Sequence, residues 1–365
     1  MSKYLFLISH PAHFHMFKYS IQELKEHGHE VIVVIRPKDV LEQLCIESKL
    51  NYIKINHRPN KGGLLKLAQS LFVKDIKIFN IVKKIKPDLL LGSDGSIART
   101  GFLLHIPSFE YSEDDAKAIK LYAFTSYTFF TGIISPFVVD AWLWNKKKIP
   151  YNGYQKLAYL HPERFYPNKK VKEKYNITNQ KYFILRLSAL NAYHDFGMKG
   201  FNENLIDRII YKLEKYGKVY ISSEKELPSK YNKYKLKINP LDIHHILAFS
   251  SILIGDSQSM SVESALLGVP SIRYSSFAGK LSVLEELEHK YELTFGFQPS
   301  ESEAMFEKID ELLSMPNLKE EWQLRRQRML QDKIDVTSFF VWFIENYPES
   351  AKIMKENPDY QYKFK

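Results

Sequence analysis

At 365 residues, 45% hydrophobic and 26% charged, the chain suits two domains, each with its own core, and excludes intrinsic disorder. Its formal net charge is +10, but the lysines are scattered and no nucleic-acid motif accompanies them. The charge therefore fits anionic substrates, an anionic membrane surface, or solvated lysine-rich faces, and nucleic acid is not an expected partner. One cysteine, Cys45, excludes an internal disulfide and fits a reducing cytoplasm.

Residues 4–8 are an apolar run, read as a buried strand rather than a signal-peptide core. A loop at 9–15 carries His10, His13 and His15, and an amphipathic helix follows at 16–27, ended by Gly28. A strand at 31–35, a helix at 40–48 with Cys45 in its apolar stripe, and a strand at 52–55 complete βαβαβ, the start of a doubly wound parallel sheet. Residues 58–63 read as a loop, 64–85 as a long helix ended by Pro87, 89–91 as a strand, 96–105 as a helix and 107–109 as a strand. An acidic loop spans 110–117. Residues 121–139 carry no charge, which raises the question of a membrane span. Their Ser, Thr, Tyr, Gly and Pro divide them into a helix at 121–130 and a strand at 133–136, with an aromatic patch that would face lipid or a lipid-linked acceptor if exposed. Residues 145–167 read as the crossing between domains. The second half repeats the α/β pattern: strands at 182–186 and 219–222, helices at 205–216 and 240–249, then helices at 304–314 and 318–332 and an aromatic block at 336–346.

Residues 250–274 organise the chain chemically. A short apolar strand (251–254) runs into the small, polar turn Gly255, Asp256, Ser257, Gln258, Ser259. From Met260 the apolar residues fall at helical spacing, Gly268 and Pro270 stop the helix, and a strand begins at 271. A helix N-terminus offers unpaired backbone N–H groups and partial positive charge. Small residues let a diphosphate approach that backbone, Ser257, Ser259 and Ser261 add hydroxyls, and Glu263 is placed to accept hydrogen bonds from ribose. The plainer alternative is that the serines cap a helix and Glu263 is a solvated acid.

The run Gly-Asp-Ser-x-Ser-Met-x-x-Glu-x-Ala-x-Leu-Gly-x-Pro at 255–270 resembles the donor-nucleotide motif of the GT-B superfamily, which includes UDP-N-acetylglucosamine 2-epimerases and the peptidoglycan lipid N-acetylglucosaminyltransferase. With residues 9–15, 86–89, 151–154, 157–162, 192–195, 221–224 and 243–245, the chain resembles a GT-B-like family of surface-polysaccharide gene sets. The resemblance implies two Rossmann-like domains with a cleft between them: an acceptor domain at 1–150, joined by a returning C-terminal segment at 336–365, and a nucleotide-sugar domain at 151–335. It also implies no metal and no cofactor; no Asp-x-Asp pair and no Cys/His zinc set is visible.

Three groups of residues are candidates to carry proton chemistry in the first domain. His10, His13 and His15 follow the first strand, where open α/β sheets bind ligands, and histidine accepts protons near neutral pH; His13 and His10 are favoured, and a cap or packing role is the alternative. Asp94 lies in a second strand-to-helix turn, as a base, as an orienter of histidine, or as a plain cap. Glu110 opens the acidic loop with Glu113, Asp114 and Asp115, where crowded carboxylates raise one another's pKa. In the second domain Arg186 and Ser188 end a strand, Arg186 being suited to bidentate phosphate contact. His194 resembles a histidine near the diphosphate in the epimerases. Ser222, Ser223 and Glu224 end the next strand, and His244 begins a helix beside the nucleotide.

These residues imply a glycosyltransferase that moves sugar from a nucleotide-diphospho-sugar to a saccharide or lipid-linked acceptor, in the cytoplasm or at the inner face of the membrane with peripheral contact. Two other readings stay open: a nucleotide-sugar 2-epimerase using Asp94, Glu110 or Glu113 and His194, and a non-catalytic sugar-nucleotide binder. The sequence leaves the oligomeric state open.

Overall fold

The computed structural model describes residues 1–55, 64–177, 181–187, 201–223 and 226–365, with only the backbone of 64–68. Ser188, His194 and Glu224 lie outside the described residues. The chain forms two compact units, Met1–Arg164 with Lys333–Lys365, and Phe165–Asp332.

The first unit holds a seven-stranded parallel sheet: β1 (Lys3–Ile8), β2 (Glu30–Ile35), β3 (Ile53–Lys54), β4 (Leu89–Gly92), β5 (Ser108–Tyr111), β6 (Gly132–Pro136) and β7 (Lys148–Tyr151), in the order β3-β2-β1-β4-β5-β6-β7. Leu5, Leu7, Val34 and Leu90 are fully buried, as strands covered on both faces require. The strand order reverses between β1 and β4, so their C-terminal ends open a crevice where such sheets bind ligands.

The second unit holds β8 (Tyr182–Leu187), β9 (Lys218–Ser223), β10 (Leu253–Gly255), β11 (Ser271–Tyr274) and β12 (Thr294–Phe297), in the order β12-β11-β10-β8-β9. Every pairing is parallel, and this sheet reverses between β8 and β10.

Three expectations need correction. The first unit ends at Arg164 rather than at 150, and the second at Asp332 rather than 335. Residues 148–151 are not a crossing but strand β7 on the edge of the first sheet, and Tyr154, Leu157, Tyr159 and Leu160 are buried. The returning segment seals them: the Thr337 hydroxyl donates to the Ala158 carbonyl at 2.6 Å, and Phe340 packs edge-on to Tyr111 and Tyr151. Second, the histidine segment is not a loop. Pro11 occupies the first position of helix Pro11–Glu26 and His10 caps it, so His13 and His15 are helical. Third, Glu110 is not in a loop but inside β5, paired in register with Gly92 of β4 and Ile133 of β6. Residues 121–139 become helix Lys120–Ser126 and strand β6; among the described residues, no helix is long and apolar enough to cross a membrane.

Candidate functional site

In the first unit the switch point gathers titratable groups. His10 Nδ1 accepts from the Ala12 N–H at 3.2 Å, a capping role. Burial lowers the His10 pKa to about 4, helped by the charges of Lys38, Lys156 and Arg36, with Asp39 opposing. His13 lies one turn on, its ring centre 5.9 Å from that of His10. Burial lowers it to about 3, reinforced by His10, Lys156 and Lys38 and opposed by Asp94. Its Nδ1 is buried and has no hydrogen-bond partner among the described residues. His15 instead turns into the core, its ring 5.3 Å from that of Tyr159, which removes it from the candidate bases.

Across the crevice, Asp94 caps helix Gly95–Leu104, accepting from the Ser96 amide at 2.9 Å and the Ser96 hydroxyl at 2.8 Å. Lys74 Nζ donates to both of its oxygens, at 2.8 and 3.1 Å, and both residues are buried. Burial works to raise the Asp94 pKa, but Lys74 and Ser96 outweigh it and hold the carboxyl below its usual range. Its oxygens are occupied, so the base role expected as one alternative does not suit it; it is an ionised cap that sets the local field. Glu110 has the opposite environment. It is 1% exposed and accepts from the Tyr122 hydroxyl at 2.7 Å. Burial pushes its pKa well above the usual carboxylate range, against Tyr122 and with help from the Asp94 and Asp114 charges. Asp94 is thus held toward its ionised form and Glu110 toward its protonated form, and of the two only Glu110 is suited to giving up a proton. Glu113 is paired with Lys156, and Asp115 accepts from the Asp140 amide at 2.8 Å, so these two acids are tied down, while Asp114 between them is exposed.

Lys74, Tyr122 and Lys156 belong to this site and were not singled out in the sequence. Lys74 had a signal: it stands on the i, i+4 row Ser70, Lys74, Ile78, Val82, which is buried throughout, and a lysine on an inward row needs a buried anion.

In the second unit the strand ends meet in register. Arg186 pairs with Ser222 on one side and Gly255 on the other, and its Nη1 donates to the Ser222 hydroxyl at 2.8 Å. Ser223, the last residue of β9, is partly exposed at the same edge. A Cβ at Gly255 would lie 2.4 Å from the Arg186 carbonyl oxygen, so only glycine lets β10 run this close to β8. Asp256 leads into Ser257, which caps helix Gln258–Leu266 by accepting from the Met260 amide at 3.4 Å. The amides of Gln258 and Ser259, ahead of the first helical bond, have no intrahelical acceptor. Gln258 Nε2 donates to the Asp256 carbonyl at 3.2 Å, while its Oε1 is buried without a partner among the described residues. Two expected ligand contacts are engaged internally. The Ser261 hydroxyl donates to the Ser257 carbonyl at 3.0 Å, and Met260 is buried in the core. His244 and Glu263, placed separately in the sequence, meet: Nε2 and Oε1 are 3.3 Å apart and both residues are buried. Among the described residues no group of three or more His, Cys, Asp or Glu side chains is arranged to hold a metal ion.

The fold is shared with sugar-nucleotide proteins. The chain superposes on Staphylococcus aureus MnaA, solved with UDP, at a TM-score of 0.68 and 12% identity over 96% of this chain and 98% of that one. A Neisseria meningitidis UDP-GlcNAc 2-epimerase bound to UDP-GlcNAc matches at 0.61 and 15%, over 91% and 94%. The spinosyn forosaminyltransferase SpnP matches at 0.59 and 14%, over 91% and 95%. These likenesses establish two doubly wound units of the GT-B kind. No curated protein matches the sequence. A family model described as protein of unknown function (DUF354) matches residues 4–293, and the chain belongs to that family.

Proposed function

We propose that this protein is a glycosyltransferase that binds a nucleotide-diphospho-sugar through the turn after β10 and deprotonates an acceptor hydroxyl at the switch point of the first sheet. The observation that carries the reading is the Gly255–Ser257 turn, where a strand end with no room for a Cβ meets a capped helix beside Arg186. Helix N-termini with small residues ahead of them suit diphosphates, and the proteins solved with UDP and UDP-GlcNAc share the fold.

The chemistry needs two charges handled. As the acceptor oxygen attacks C1 of the donor sugar, the C1–O bond to the diphosphate breaks and the leaving group gains negative charge. Arg186 and the amides of Gln258 and Ser259 would stabilise it, being fixed before the reaction starts. The acceptor proton passes to a base. His13 is preferred over His10, because Nδ1 of His10 is already the helix cap while Nδ1 of His13 has no partner among the described residues. At a pKa of about 3 His13 is neutral but weakly basic; a bound anion beside it would offset Lys38 and Lys156 and raise its basicity.

A second reading, a nucleotide-sugar 2-epimerase, is favoured by one observation: in the same crevice Lys74 and Ser96 hold the Asp94 carboxyl below its usual range while burial pushes that of Glu110 well above it. One experiment separates the two. Incubation with UDP-GlcNAc in deuterium oxide without acceptor gives the C2-deuterated manno epimer if the protein epimerises. The transferase reading predicts no exchange, and UDP release that depends on an added saccharide or lipid-linked acceptor. UDP-GlcNAc stands for the donor class in this test; GDP, CMP, ADP and TDP sugars extend it, since a ligand of the folded state raises the melting temperature.

A further inference from the structure

We infer that the outer face of helix Lys120–Ser126, with the segment 137–143, is a docking surface for an anionic lipid membrane. Leu121 is 72% exposed, Phe124 51%, Phe137 68% and Leu143 61%. Leu121 and Phe124 stand three apart on one helix and so share a face. Phe124 joins that face to the second segment, its ring 5.6 Å from Trp142 and 5.3 Å from Trp144. Leu121 and Phe124 on one helix face, with Phe124 against Trp142 and Trp144, make a cluster that marks an interaction surface rather than scattered exposure.

Charge selects the occupant. Residues 117–148 contain five lysines (117, 120, 146, 147, 148) and one acid, Asp140, a net +4 in a chain whose total is +10. Lys117, Lys120 and Lys146 are exposed, and Lys117 is paired with Asp140, its Nζ 3.4 Å from the carboxylate, so the charge offered to lipid rests first on Lys120 and Lys146. Lys147 and Lys148 are anchored on main-chain carbonyls, Lys147 on Phe130 at 2.9 Å and Lys148 on Phe137 at 2.8 Å. Exposed Leu121 and Phe124 beside the partly exposed Trp142, with exposed Lys120 and Lys146 on the same two segments, match the interface of an anionic bilayer: apolar groups enter the acyl boundary, Trp stays at headgroup depth and lysines meet phosphate.

The surface adjoins the candidate chemistry. The same helix that turns Leu121 and Phe124 outward turns Tyr122 inward to Glu110, 2.7 Å away. Docking here would bring the first-sheet crevice to a lipid-linked acceptor, which names the acceptor class and rests on the proposed transferase reading.

The test is co-sedimentation with vesicles of phosphatidylglycerol and phosphatidylcholine against vesicles of phosphatidylcholine alone, without nucleotide, with UDP affinity measured in parallel. The protein should bind the anionic vesicles at least tenfold more strongly. Leu121→Glu/Phe124→Glu should abolish that binding, and Lys117→Gln/Lys120→Gln/Lys146→Gln should weaken it and flatten its salt dependence. Melting temperature and UDP affinity should be unchanged in both. If the pair of glutamates disturbs folding, the milder Leu121→Gln, at a position 72% exposed, reads the same face. Equal binding to both vesicle types, or vesicle binding unchanged in these variants, overturns the inference. So does a dimer in solution that Leu121→Glu/Phe124→Glu converts to monomer, which would assign the face to a second copy of the chain. Loss of docking with UDP binding kept leaves the transferase reading standing; failure of the wild type to bind any nucleotide or nucleotide-sugar overturns that reading alone.

Discussion

The two sheets solve one geometric problem and then fill it differently. At each reversal of strand order a glycine ends the inner strand, Gly92 in β4 and Gly255 in β10. A Cβ there would lie 2.5 Å from the Leu7 carbonyl oxygen or 2.4 Å from that of Arg186. What stands over the glycine differs. In the first unit it is a buried, ionisable set: His10 and His13 with pKa values lowered by burial, Asp94 held below the usual carboxylate range by Lys74, and Glu110 pushed well above it by burial. In the second it is a helix start with small residues, hydroxyls and Arg186. Burial tunes proton affinities, which suits the first to acid–base chemistry. Fixed backbone donors hold an anion without titrating, which suits the second to a diphosphate.

The contrast can be broken most severely at Lys74. Lys74→Met leaves the Asp94 carboxylate buried without its cation and should cost about 3–5 kcal/mol in denaturant unfolding. Adding Asp94→Asn should recover part of that, because the uncompensated charge goes with it.

Gly255→Ala should come next. The added methyl must push β10 from β8, distort the turn, and weaken UDP binding by roughly ten- to a hundredfold, about 1.4–3 kcal/mol by the affinity scale, as titration calorimetry would read. Gly92→Ala should disturb the first sheet and leave the intrinsic UDP affinity of the folded second unit unchanged, so the pair tests whether the two crevices divide the work.

Glu110→Gln sharpens the acid–base half. A carboxyl whose folded pKa is raised contributes stability below its unfolded value near 4.5 and loses it as pH rises toward the folded value. The wild type should therefore lose stability over that interval relative to Glu110→Gln. The variant should melt higher at pH 8, melt alike at pH 4, and lose turnover if the proton of Glu110 takes part.

The smallest effect is expected from His13→Gln on acid stability. The folded pKa of about 3 lies below the unfolded value of 6.5, so the unfolded state binds the extra proton and stability falls as pH drops through that window. Replacing the imidazole should flatten the acid limb of a melting curve between pH 6.5 and 4, with His10 retaining its own part of the slope.

Much of this contrast was legible in the residues. The turn at 255–261 announced itself because small residues, a cap and a Gly-x-Pro stop leave few other structures for that run, and the apolar runs placed most strands. Pairings made only by folding did not show. Nothing along the chain joins His244 to Glu263, or Lys156 to Glu113, since each contact depends on packing between distant elements. The start of the first helix was missed because a histidine cap followed by Pro11 reads locally as a loop. Strand β7 was missed because Lys148–Tyr151 lies at the sheet edge and has no apolar alternation.

The most direct test of the division of labour is UDP titration and donor turnover measured together on His13→Gln and Gly255→Ala. The account predicts that His13→Gln binds UDP like the wild type and transfers no sugar, while Gly255→Ala fails at the binding step. Full turnover by His13→Gln, or unaltered UDP affinity in a folded Gly255→Ala, would contradict it.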